Sequence, residues 1–178
     1  MKNSIHPIIK VSAFLLFVTV SFVACKKSDP ASTSAAGTAA VVTAQSLSFD
    51  GATGIAFNSN AGGIVKVGNL ITIGAVQDGT SNSIRIVLSN VTGTGTFSLN
   101  KDNTQGNGAI ISKDYNKPSD INLNYSTDNG GSGLTGRGSV TITKLTATDA
   151  EGTFDISGYN ASGKNAAATQ GTFKGHVN

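Results

Sequence analysis

The 178-residue sequence has no tryptophan, one cysteine, three prolines and two histidines, and only 13% of its residues are charged. A single cysteine, Cys25, excludes an intrachain disulfide and any thiolate zinc centre. A hydrolytic triad outside the N-terminal segment would have to use His176, which strand alternation turns outward beside Lys174, where a solvated histidine is the simpler reading. No serine stands in a G-x-S-x-G turn. Without tryptophan, only Tyr115, Tyr125 and Tyr159 remain as a sugar-stacking platform, and placement at the edge of a core explains them more simply.

Long apolar runs are missing too. The longest covers residues 11–24, fourteen mostly apolar positions interrupted by Ser12, Thr19 and Ser21, which is short for a membrane span. The formal net charge of +3 does not describe the body of the protein. Lys2, Lys10, Lys26 and Lys27 lie near the N-terminus, and from Ala44 onward nine basic residues meet nine acidic ones. A neutral body gives phosphate backbones nothing to bind, so no nucleic-acid partner is expected.

What the sequence does have begins at the N-terminus. Lys2 and Lys10 precede the apolar run, which ends in Phe22-Val23-Ala24-Cys25 and is followed by Lys26-Lys27-Ser28-Asp29-Pro30. Charge, a short apolar core and a small residue form a signal peptide. Ala24 directly before Cys25 resembles the lipobox of bacterial lipoproteins, with Phe22 where leucine is usual. The resemblance implies cleavage between Ala24 and Cys25 and attachment of lipid to the Cys25 thiol. Residues 1–24 are thus expected to be the leader, and residues 25–44, rich in Ser, Thr, Ala and Gly, a lipidated cysteine and flexible tether. Residues 45–178 are left for one domain.

In that domain apolar residues recur at every second position, with Gly, Asn and Asp between the runs. Ile84, Ile86 and Leu88 share one face with Arg85 opposite; residues 121–125 and 153–157 repeat the scheme. Further strands are expected over residues 47–57, 63–67, 70–77, 96–100, 109–113, 140–148 and near the C-terminus, with turns at Gly68-Asn69, Asp78-Gly79 and Asp149-Ala150-Glu151-Gly152. Short links make neighbouring strands antiparallel, and one-sided alternation makes one face wet. The expected fold is all-β: an antiparallel meander of about nine strands, closed as a lipocalin-like β-barrel or layered as a β-sandwich.

The glycine loops carry no chemistry of their own. Gly131-Ser132-Gly133-Leu134-Thr135-Gly136 has dinucleotide-loop spacing, but Arg137-Gly138-Ser139-Val140-Thr141-Ile142 after it is a strand where such a site needs a helix. Asp149 and Glu151 are expected at a turn, which lacks the apolar pocket that acid catalysis needs. Asp102 and Asp128 stand in loops without the spaced carboxylates of a calcium site. No catalytic residue, metal or cofactor is expected.

Gly138-Ser139-Val140-Thr141-Ile142-Thr143-Lys144, Gly152-Thr153-Phe154 and Thr169-Gln170-Gly171-Thr172-Phe173, preceded by Gly93-Thr94-Gly95-Thr96-Phe97-Ser98-Leu99, resemble strands of uncharacterised β-rich lipoproteins of Bacteroidota type. The resemblance implies an outer-membrane, lipid-anchored protein on the periplasmic face or the cell surface. The function expected is a non-enzymatic binding or structural module whose partner is an envelope protein, a glycan or a small apolar ligand. Carriage of an apolar ligand inside a barrel is the alternative, and an envelope hydrolase a remote one. Large inward residues such as Phe97, Phe154 and Phe173 decide whether such a barrel has room inside.

Overall fold

The computed structural model describes residues 39–130 and 133–178, and these form ten β-strands. They are β1 (Ala40–Phe49), β2 (Ile55–Val67), β3 (Leu70–Val76), β4 (Ser83–Leu88), β5 (Gly95–Ser98), β6 (Gly108–Ser112), β7 (Asn124–Ser126), β8 (Arg137–Leu145), β9 (Asp149–Tyr159) and β10 (Asn165–His176). Every pairing between them is antiparallel. Eight strands close into a barrel in the order β10-β1-β2-β3-β4-β6-β7-β9, with β9 returning to β10. Closure satisfies backbone groups that an open sheet would leave exposed.

The other two strands, β8 and β5, extend the sheet from β9. β10 lines one edge of β9 along its whole length, while β8 takes the other edge from Ala150 to Ser157 and β7 meets β9 only at Tyr159. The sheet therefore branches at β9, and β5 ends it with a neighbour on one side only.

Apolar side chains from all around the barrel fill its interior. Phe57, Tyr125, Phe154 and Phe173 are the largest of the fully buried residues, and Phe97 packs against them half-buried. Neighbouring strands alternate large and small residues along one inward row: Phe97, Val140, Phe154, Gly171, Ala44 and Phe57 are successive register partners from β5 to β2. The outward row beside it is all threonine over five strands, Thr96, Thr141, Thr153, Thr172 and Thr43. Hydroxyl contacts close both ends of this row, Thr96 with Thr141 at 3.0 Å and Thr43 with Thr172 at 2.9 Å. Each Gly-Thr-Phe triplet thus sends Gly and Phe inward and Thr outward, and Thr153 and Thr172, like Thr96, face solvent.

Several element boundaries differ from the sequence reading. β1 starts at Ala40, inside the segment assigned to the tether, because Ala40, Val42 and Ala44 are buried and their small side chains fit beside β10. The expected strand 47–57 is broken by a turn in which Asp50 and Gly51 adopt φ of 56° and 79°. Ile121 lies in a turn and is exposed, and strand structure starts only at Asn124, since Asp120 accepts the Asn122 N–H in an Asx-type turn. Asp149 and Glu151 are in β9; the turn is made by residues 146–148, where Thr146 accepts the N–H groups of Thr148 and Asp149. The expectation of about nine sequential strands becomes ten, with β5 out of sequence order.

Candidate functional site

Ala24 and Cys25, the two positions assigned to cleavage and lipid attachment, lie outside the described residues, as do Gly131 and Ser132 of the glycine loop. Arg137 and the residues after it do form a strand. His176 ends β10 opposite Asp149 and makes no side-chain hydrogen bond among the described residues. Tyr125 is 1% exposed, which removes it from any surface platform with Tyr115 and Tyr159. Among the described residues no group of three or more His, Cys, Asp or Glu is arranged to hold a metal ion.

Two places combine polar groups with distinctive geometry. The first is a cluster at the rim where β1 turns into β2. Tyr125 Oη donates to Asp50 Oδ1 at 2.9 Å, and the Lys113 ammonium donates to Asp50 Oδ2. Lys113 also lies 5.4 Å from the ring centre of Phe49 and 5.7 Å from that of Tyr125, a cation–π arrangement. Burial pushes the Asp50 carboxyl up, but the hydrogen bonds from Lys113 and Tyr125 outweigh it and leave the pKa below its ordinary value. The bond to Asp50 holds the Lys113 ammonium above its ordinary range against burial, and burial raises Tyr125. All three shifts favour the ionisation state already present at neutral pH. A general base or nucleophile needs the opposite, a value brought toward neutrality. The two bonds to Asp50 tie the end of β1 to β7 and to the residue after β6, a clasp across the barrel wall.

The second is a groove of about 800 Å³ on the outside of the sheet, where β10, β9, β8 and β5 curve together. Its walls carry side chains of the outward rows, including Thr96, Ser98, Ser139, Asp155 and Ser157, with Arg137 at one side. Asp155 Oδ1 accepts the N–H of Gln170 at 2.8 Å, which holds Gln170 at φ 51° in the bulge of β10. Asn165 Nδ2 donates to Ser157 Oγ at 2.9 Å, and Asn100 Oδ1 accepts the Gly138 N–H at 3.2 Å. Among the described residues the Arg137 guanidinium has neither an ion pair nor a side-chain hydrogen bond, and the Ser139 hydroxyl has none either. The groove offers one cation, the second Asp155 oxygen and several hydroxyls over a lining that also includes Ile156 and Ala167, a set that can hydrogen-bond a ligand as well as contact its apolar parts.

Sequence reasoning set Asp155 and Ser157 opposite Phe154 and Ile156 on one strand but did not gather the residues of this groove. Their only signal was the run of Ser, Thr and Asn at alternate positions of four strands whose adjacency depends on the branch at β9. Asp50, Lys113 and Tyr125 were equally hidden, being far apart in the chain. Compared with protein-family models, curated proteins and solved structures, the chain matches none.

Proposed function

We propose that the protein is a lipoprotein of the cell envelope, anchored in the outer membrane by acyl chains on Cys25, whose barrel is a non-enzymatic binding module working through its outer surface. The observation that carries the second half is the division of space in the fold. Phe57, Phe154, Phe173 and Tyr125 occupy the barrel interior, while the groove of about 800 Å³ opens outside on polar side chains. The first half rests on the sequence around Ala24 and Cys25 and on the energetics of anchoring. Each buried methylene contributes about 0.8 kcal/mol and stable attachment takes more than one chain, which a fully acylated cysteine supplies.

A polar ligand, whether the glycan or the polypeptide of an envelope partner, fits the groove. Carriage of a small apolar ligand has no support from the filled interior, and a hydrolase has none from the cluster at Asp50. The test is growth with an alkyne analogue of palmitate, followed by fractionation. The protein is expected to take up the label and sediment with membranes, and Cys25→Ala to abolish labelling and move it to the soluble fraction. Unchanged membrane association of the unlabelled variant would overturn the anchor.

A further inference from the structure

The two rims of the barrel differ in how the chain reaches them. β1 begins at Ala40, and Ala40 pairs with Gly62 while Val41 pairs with Lys174. The rim where β1 starts therefore also carries the end of β2, the β2–β3 turn and the end of β10. Here β2 runs on past β1. Val177 and Asn178 brace it, with Lys66 N–H donating to Asn178 O at 3.0 Å and Asn178 N–H to Ile64 O at 2.9 Å, and the hairpin turns at Gly68 and Asn69.

The outward residues nearest the turn of this hairpin are apolar, with Thr72 beyond them opposite Val65. Val67 pairs with Leu70 across the turn, and Val65 shares their face. Val65 is 45%, Val67 69% and Leu70 42% exposed, and Val67 is the most exposed large apolar side chain among the described residues. Between them Lys66 bends its ammonium to the Gly68 carbonyl, which leaves a cation beside the apolar tip. Ile55, Tyr115 and Ile121 are exposed toward the opposite rim, Ile55 at the start of β2 and the other two in the turns between β6 and β7. What distinguishes the hairpin is the chain that leads into the same rim.

Fourteen residues, 26–39, separate Cys25 from β1. Fully extended they reach at most about 50 Å, and a coil of that length averages about 20 Å. An anchor that close holds the rim against the bilayer at an effective concentration in the millimolar range, so a contact too weak to bind lipid alone is occupied. We propose that the β2–β3 hairpin, through Val65, Val67 and Leu70, rests in the headgroup region of the bilayer to which Cys25 is anchored. Lys66 then meets lipid phosphate, the opposite rim points away from the membrane, and the groove stands along the side of the barrel, open to a partner. The proposal rests on acylation of Cys25.

The core runs from Ala40 to Val177, so a chain of residues 26–178 keeps all of it together with the segment that follows Cys25. It contains no cysteine, and Val67→Cys or Lys117→Cys accepts a single environment-sensitive dye at one rim or the other. The labelled protein is attached through its N-terminus to a synthetic diacyl lipid in phosphatidylethanolamine–phosphatidylglycerol vesicles. The dye at position 67 is expected to shift to the blue and to become several-fold less accessible to aqueous iodide, and the dye at 117 to stay fully accessible. Adding Leu70→Asp to Val67→Cys is expected to restore quenching at 67. Equal quenching at both positions overturns the contact, whatever the state of Cys25, because the anchor here is synthetic. Absence of acylation in cells, read separately by the palmitate label, overturns the anchor and the proposal with it.

Discussion

Phe154 lays its ring against Gly171 on the neighbouring strand, and a Cβ added to Gly171 would fall within 2.5 Å of three atoms of that ring. Two residues along, the relation is reversed. Phe173 faces Gly152, where an added Cβ would meet the ring at 2.5 Å and press on the Thr141 carbonyl. Two Gly-Thr-Phe triplets on antiparallel strands thus interlock, each glycine making room for the other strand's phenylalanine, and the rings cover backbone that glycine leaves bare.

This pairing makes Gly171→Ala destabilising by about 1–3 kcal/mol through overpacking. Phe154→Ala alone should cost about 3–5 kcal/mol. In the double variant the alanine at 171 occupies space the ring has vacated, so the combined loss should fall below the sum by more than about 0.5 kcal/mol. Urea unfolding of the four proteins measures the coupling, and strict additivity would show that the ring does not use the space over Gly171.

The clasp at Asp50 predicts a dependence on pH at both extremes. The Asp50 pKa lies below its ordinary value near 3.8, so its stabilisation is present above that value and is lost as pH falls through the lower, folded one. Lys113 lies above its ordinary value near 10.5, so its stabilisation is present below 10.5 and is lost as pH rises through the higher one. Asp50→Asn should cost on the order of 1 kcal/mol near neutrality, a modest figure because both side chains are partly solvated. It should also flatten the acid limb of a plot of melting temperature against pH. An acid limb identical to that of the parent protein would assign the acid sensitivity to other carboxylates.

β5 predicts alternating hydrogen exchange. Leu99 N–H donates to Gly138 O at 2.9 Å across the β5–β8 pair, and antiparallel geometry turns the amides of Thr96 and Ser98 the other way, toward the edge without a neighbouring strand. Thr96 and Ser98 should exchange at least about tenfold faster than Leu99 by NMR. Equal protection would mean that the edge is covered.

Much of the barrel was legible from period-two alternation, since a wall with one wet face imposes that pattern on every long strand. Ile84, Ile86 and Leu88 point inward and Arg85 outward as their spacing required. The start of β1 was not legible, because the residues that bury it are alanines and a valine, the same small types that fill a linker. Nor was the turn at Asp50, which looks like a continuing strand until the left-handed backbone there is known. Register partners fixed the rest. Nothing local in Thr96, Ser139 or Asp155 says that β5, β8 and β9 lie side by side, and the pairing of β10 with β1 joins residues more than a hundred positions apart. The groove and the clasp depend on these long-range pairings, whereas the reading of Cys25 rests on a local pattern of neighbouring residues and needs no pairing at all.

Intact-mass analysis of the protein purified from its own cells tests the proposed anchor most directly. The mature chain is expected to begin at Cys25 and to exceed the mass of residues 25–178 by a diacylglyceryl group and an amide-linked acyl chain. A chain that retains residues 1–24, or one that begins at Cys25 with an unmodified thiol, would contradict the lipid anchor.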